Sequence, residues 1–324
     1  MRPSDNLSSS AEWGGGGEVE EKKSDPLQQG RKYGDDERVG EQVSLLLGML
    51  ESQYSEAQTS AVVQLSRMGE PAVPHLIRAL SEGPTAKDIA RILGIIGSPT
   101  AVGALSKMLD EEGGRLSGSQ AQHAAAEALG KIGSKEALDV LARNVHKGGV
   151  SAALSRFGTE RIGALLKVLG SADPVQQATA ARQLGEAKEA RAVPALLNVL
   201  RQSPDDRARA AATDALAEIG DRAAIPQLKV LLGSTSPGKN NRWGRSDDEV
   251  HGRVIDALAR LGGTSVIPDL LRETVAGNGD ARSALVRMGD RAVPALADVL
   301  TKGDTSSQKV AADVIAEIKG GSRR

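Results

Sequence analysis

The stretch Arg209–Leu232, RAAATDALAEIGDRAAIPQLKVLL, decides the fold. Ala211, Ala212, Ala215, Leu216 and Ile219 fall on one face at the helical period. Gly220 then marks the end of that helix, because a left-handed C-terminal position is cheap for glycine alone. Asp221 opens a short turn. Pro226 sits where a second helix begins, a place where a missing N–H is no loss. Ile225, Leu228, Leu231 and Leu232 continue as the apolar stripe of that second helix. The product is a helix hairpin with one apolar side, and two short helices cannot hide that side alone.

Neighbours are present along the chain. Aligned on a turn that reads Gly, a few residues, then Ala-Val-Pro-x-Leu, the proline slot falls at Pro74, Gly103, Asp139, Gly163, Pro194, Pro226, Pro268 and Pro294. Successive differences between those positions are 29, 36, 24, 31, 32, 42 and 26 residues. A period near thirty built from helix pairs is a repeat solenoid. The order 29, 36, 24 is echoed by 32, 42, 26, which suggests a block of four repeats used twice, about 52–170 and 171–302. In each block the third repeat follows an insertion (Asp110–Ser119, Gly233–Asp248), and the fourth has a shortened first helix (Val150–Gly158, Ala281–Gly289).

The strings Ala124–Leu141 (AAAEALGKIGSKEALDVL), Ala210–Leu231 and Gly289–Leu300 (GDRAVPALADVL) resemble the HEAT family, specifically the HEAT-like repeats of bilin lyases. The resemblance covers residues 40 to 319 and implies an all-α, right-handed α-α superhelix of about eight helix pairs. It says little about function, since such repeats serve many purposes. Among relatives of this type, the lyase subunits that attach or detach phycobilin chromophores imply one possible activity, with a bilin as the small molecule. No motif here marks a bilin pocket.

Composition narrows the alternatives. Lys and Arg number 41 against 42 Asp and Glu, so net charge is −1 and no global field draws the chain to nucleic acid or membrane. Aromatics are 2%, which suits thin layers of small and branched side chains between helices. Cysteine is absent, which excludes disulfides, thiolate metal sites and a cysteine nucleophile. No run approaches the roughly 18 apolar residues of a membrane helix, and the N-terminus lacks a secretory layout. The expected compartment is the cytoplasm.

Residues 1–39 read as a disordered tail, with SSS, GGGG and the charge cluster Glu18–Lys23, and 320–324 as a disordered end. Trp13 in that tail is either a stray aromatic or the anchor of a short binding motif. Glu41–Glu51 is apolar enough for a half-repeat helix capping the front, and Ser307–Ile318 forms a last lone helix.

Catalytic chemistry finds little footing. GGGG at Gly14–Gly17 lacks the strand before it and the Lys-Ser/Thr after it that a phosphate loop needs. The deoxyhypusine hydroxylase group also uses HEAT-like repeats, and its His-Glu pairs hold two irons. Here the matching places read His123-Ala124 and His251-Gly252, without the carboxylate, while His75 follows a proline and His146 lies near a loop. Neither a metal, a cofactor nor a catalytic residue is expected.

Binding is the better expectation. The resemblance implies that second helices line the concave face, where Arg78, Lys107, Arg143, Arg201, Lys229 and Arg272 recur near one register. They read as a basic ladder for an acidic helix or tail, or as an ordinary solvated face. The insertion GSTSPGKNNRWGRSDD places Lys239, Arg242 and Arg245 around Trp243, a composition enriched at interfaces. Nucleic acid is disfavoured by the following aspartates and the near-zero charge. Glu127, Asp214 and Asp256 are expected to bond turn amides between repeats. The expected function is therefore a non-catalytic scaffold that binds another protein, and the alternative is a bilin lyase or lyase subunit.

Overall fold

The structure is a computed structural model that describes residues 26–80, 85–111, 119–234 and 247–321. Among the described residues there are eighteen α-helices and no strand. Eight hairpins follow one another: α2 (Ser55–Met68) with α3 (Val73–Leu80), α4 (Ala86–Ile96) with α5 (Val102–Asp110), α6 (Ser119–Ile132) with α7 (Lys135–Arg143), and α8 (Val150–Leu154) with α9 (Glu160–Leu169). They continue as α10 (Pro174–Glu186) with α11 (Val193–Gln202), α12 (Asp206–Ile219) with α13 (Ile225–Ser234), α14 (Asp247–Leu261) with α15 (Ile267–Val275), and α16 (Gly279–Met288) with α17 (Val293–Lys302). The flanking helices are α1 (Pro26–Leu50) and α18 (Thr305–Gly321). The molecule is an α-α superhelix. No described helix is long and apolar enough to cross a membrane.

The quoted stretch behaves as its residues require. Gly220 takes φ 79° and donates its N–H to the Leu216 carbonyl, closing α12. Asp221 accepts the Ala223 N–H at 2.9 Å and starts a single 3-10 turn, Arg222–Ala224, from which α13 leaves. Glu189 and Ser98 do the same for Arg191 and Thr100. The first helices begin on real caps: Asp173, Asp205 and Asn278 each accept backbone N–H groups of the first turn.

Two devices join one hairpin to the next. In one, a slot near the start of the first helix reaches back to the end of the preceding second helix, whose last carbonyls have no partner of their own. Gln58 donates to the Leu50 and Ser52 carbonyls at 3.3 and 2.9 Å. Gln177 donates to those of Leu169 and Ser171 at 3.3 and 2.7 Å, and Gln122 to that of Glu111 at 3.2 Å. The other device is a small-on-small contact between successive first helices. An ideal Cβ on Gly94 would stand 2.7 Å from the Ala128 Cα, and one on Gly185 would stand 2.7 Å from the Ala215 Cα. Only residues this small allow the first helices to approach so closely.

First helices therefore touch their successors more extensively than second helices do, except beside the five-residue α8. The first helices thus form the more closely packed of the two layers.

At the front, helix α1 starts at Pro26. Asp36 Oδ1 lies 3.2 Å from His75 Nε2, and the bare backbone of Gly40 leaves room for that ring. Val43, Leu46 and Leu50 follow into the core. At the other end α18 continues through Gly321, past the expected boundary at 319. The short α8 and the ten-residue α16 fall in the fourth pairs of the two blocks suggested by spacing.

Candidate partner-binding surfaces

Five of the six ladder residues occupy the last turns of second helices: Arg78 on α3, Lys107 on α5, Arg143 on α7, Arg201 on α11 and Arg272 on α15. A cation there complements the partial negative charge of the helix C-terminus, which is reason enough for the recurrence. All five are exposed. Lys229 departs from the pattern. It is half-buried, its Nζ lies 2.8 Å from Asp269 Oδ2, and it donates to the Ser265 carbonyl at 2.8 Å. Arg272 meets the same Asp269, Nη1 to Oδ1 at 3.2 Å. The ladder's last two members are thus engaged at the joint of α13 and α15, and the whole set stands on the second helices. Lys239, Arg242, Trp243 and Arg245 lie outside the described residues, as does Trp13.

The first-helix wall carries a different charge pattern. Each first helix closes with a short motif, ALAEIG in α12 and ALARLG in α14, and its fourth residue points outward in every repeat. That column reads Arg67, Ile95, Lys131, Arg156, Glu186, Glu218, Arg260 and Arg287, all exposed. The wall is basic at the front, acidic on α10 and α12, and basic again on α14 and α16.

The acidic residues expected to bond turn amides face cations instead. Glu127 Oε1 lies 2.8 Å from Lys131 Nζ, and that hydrogen bond holds the Glu127 carboxyl below its ordinary range. Asp214 pairs with Arg253 and Asp256 with Arg287, each bridging one first helix to the next. At Asp214 burial outweighs the arginine, so its carboxyl is pushed up. Arg282 continues the series to Glu317 of α18 at 3.1 Å.

Between α14 and α16 the wall opens into a groove of about 500 Å³. Asp256, Ala259, Arg260, Ala284, Arg287, Met288 and Arg291 line it. Arg287 is held by Asp256, whereas the side chains of Arg260 and Arg291 make no hydrogen bond or ion pair among the described residues. Inspection of the sequence missed this site because its arginines belong to two repeats and a turn. The signal that could have found it is the outward column, basic at Arg260 and again at Arg287.

The histidines do not converge. His75 faces Asp36, His123 is exposed beside Gly149, and His251 is buried with Nε2 3.1 Å from Glu273 Oε2. Among the described residues no three His, Cys, Asp or Glu side chains group as a metal site would require.

The model for HEAT repeats matches residues 162–243, and that for the PBS lyase HEAT-like repeat matches residues 121–146. No curated protein matches the chain. Solved structures share the fold at low identity. Human deoxyhypusine hydroxylase, in complex with glycerol, is 16% identical over 91% of this chain and 100% of that one, with a TM-score of 0.32. A mutant of Kap121p is 13% identical over 86% of this chain and 38% of that one, with a TM-score of 0.45. The complex of CpcE and CpcF of phycocyanin lyase from Nostoc sp. PCC7120 is 20% identical over 76% of this chain and 94% of that one, with a TM-score of 0.30. The hairpins over residues 162–243 are thus similar to HEAT repeats, and the one over residues 121–146 to the PBS lyase HEAT-like repeat.

Proposed function

We propose that the chain is a non-catalytic scaffold that binds another protein along the wall formed by the first helices of the solenoid. The observation that carries this reading is the exposed outward column, whose charge runs in blocks from one end of the array to the other. Charges held in one register on rigid helices recognise a complementary charge sequence and steer its encounter. Lys107, Arg143 and Arg201 on the second helices and the stretch bearing Trp243 form a second contact surface in this proposal.

The test is capture of a partner by the full chain, followed by charge reversal on each layer. Glu218→Lys should lose the partner, and Arg201→Glu should weaken it less. Loss on Arg201→Glu or Trp243→Ala with no effect of Glu218→Lys would overturn the choice of the first-helix wall.

The PBS lyase HEAT-like match at residues 121–146 favours one second reading, a bilin lyase or lyase subunit. That activity would give a visible absorbance change when the chain is mixed with phycocyanobilin and an apo-phycobiliprotein. An unchanged spectrum would leave the scaffold reading alone.

A further inference from the structure

We propose that the groove between α14 and α16 receives paired carboxylates of a partner polypeptide whose basic residues lie over α10 and α12. The inference rests on the scaffold reading and adds the chemistry of the bound segment.

Arg260 and Arg291 line the groove together with the short side chains of Ala259 and Ala284, so guanidinium groups stand beside residues too small to fill it. Arg287 is oriented by Asp256 and contributes to the same opening. Three arginines against one aspartate leave the groove with two net positive charges (3 − 1 = 2), by its lining residues. Guanidinium forks present paired N–H groups that match a carboxylate bidentately, which a lysine cannot do. The volume of about 500 Å³ suits one or two such side chains.

The neighbouring wall decides between a peptide and a nucleic acid. One and two repeats earlier the same column presents Glu218 and Glu186, both exposed and without a partner among the described residues. A polyanion continuing along the wall would be repelled there, whereas a chain that switches from acidic to basic would be held at both places. First helices packed about 8–10 Å apart correspond to about three residues of extended chain per repeat. The acidic and basic pairs of the partner should therefore be separated by about three to six residues.

The test uses the full-length protein and fluorescein-labelled peptides at physiological salt. One peptide carries two glutamates and two lysines joined by a four-residue neutral spacer. In two others either the glutamates or the lysines are replaced by alanine, and a single-stranded oligonucleotide serves as a polyanion probe. Anisotropy should show binding of the first peptide, at least tenfold weaker binding of each alanine peptide, and no comparable binding of the oligonucleotide. Arg260→Glu with Arg291→Glu should abolish the glutamate contribution, while Glu218→Lys should abolish only that of the lysines, with helicity and thermal midpoint retained in both. Peptide binding unaffected by the arginine reversals, absence of peptide binding, or oligonucleotide binding as tight as that of the peptide would each overturn the proposal. If a captured partner is lost on Glu218→Lys but kept by the arginine double variant, the groove assignment fails and the scaffold reading stands.

Discussion

Arg209 is fully buried in α12, an uncommon place for a guanidinium, and it pairs there with Asp206. It occupies the slot that in other repeats holds Gln58, Gln122 or Gln177, and His251 fills the same slot one repeat later. A buried ion pair adds little net stability, but removing one partner leaves the other charge uncompensated. Arg209→Ala should therefore cost about 3 kcal/mol, read as a lower urea midpoint. Glu127 offers a pH-dependent case. Its carboxyl is held low by Lys131, so its contribution is present above the ordinary glutamate range and is lost as pH falls through the lowered folded value. Lys131→Met should bring the Glu127 titration, followed by NMR, back up toward the ordinary value. Stability near neutrality should change only slightly, because the pair is solvent-screened.

At the scale of the helix, the close approach of first helices depends on glycine and alanine. Gly185 has no room for a Cβ, because the atom it would meet is the backbone of Ala215. Gly185→Val should separate α10 from α12 and destabilise the fold by about 1–3 kcal/mol, measured by urea unfolding. The same change at Gly103, where nothing lies within reach of a Cβ, should cost far less. Helix ends matter as well: Asp205 accepts the Ala208 N–H at 3.0 Å, and Asp205→Ala should cost about 1 kcal/mol in the thermal unfolding of α12 and its neighbours. The outward column can be read from the register of the repeats, but only the structure shows which of its members share a groove.

For the molecule as a whole, stability is the sum of hairpins and the joints between them, and the end units cover the last open faces. Removal of 305–321 should uncover the surface against which Ala311, Val314 and Ile318 pack, raising dye binding to exposed apolar surface and lowering the unfolding midpoint. Unchanged dye binding would mean that α18 is not a cap.

The hairpins, their number and the turns at Gly220 and Asp221 were legible in the amino-acid sequence, because helical period and turn chemistry act over a few neighbouring residues. Helix α1 was legible only from Glu41 onward, since what meets its earlier part, His75, lies 39 positions after Asp36. Tertiary structure decided the rest: small residues drew the first helices together, Lys229 was held by Asp269, and Arg260, Arg287 and Arg291 came to share one groove. Each of these depends on the spacing between repeats, a distance set by side chains that are far apart along the chain.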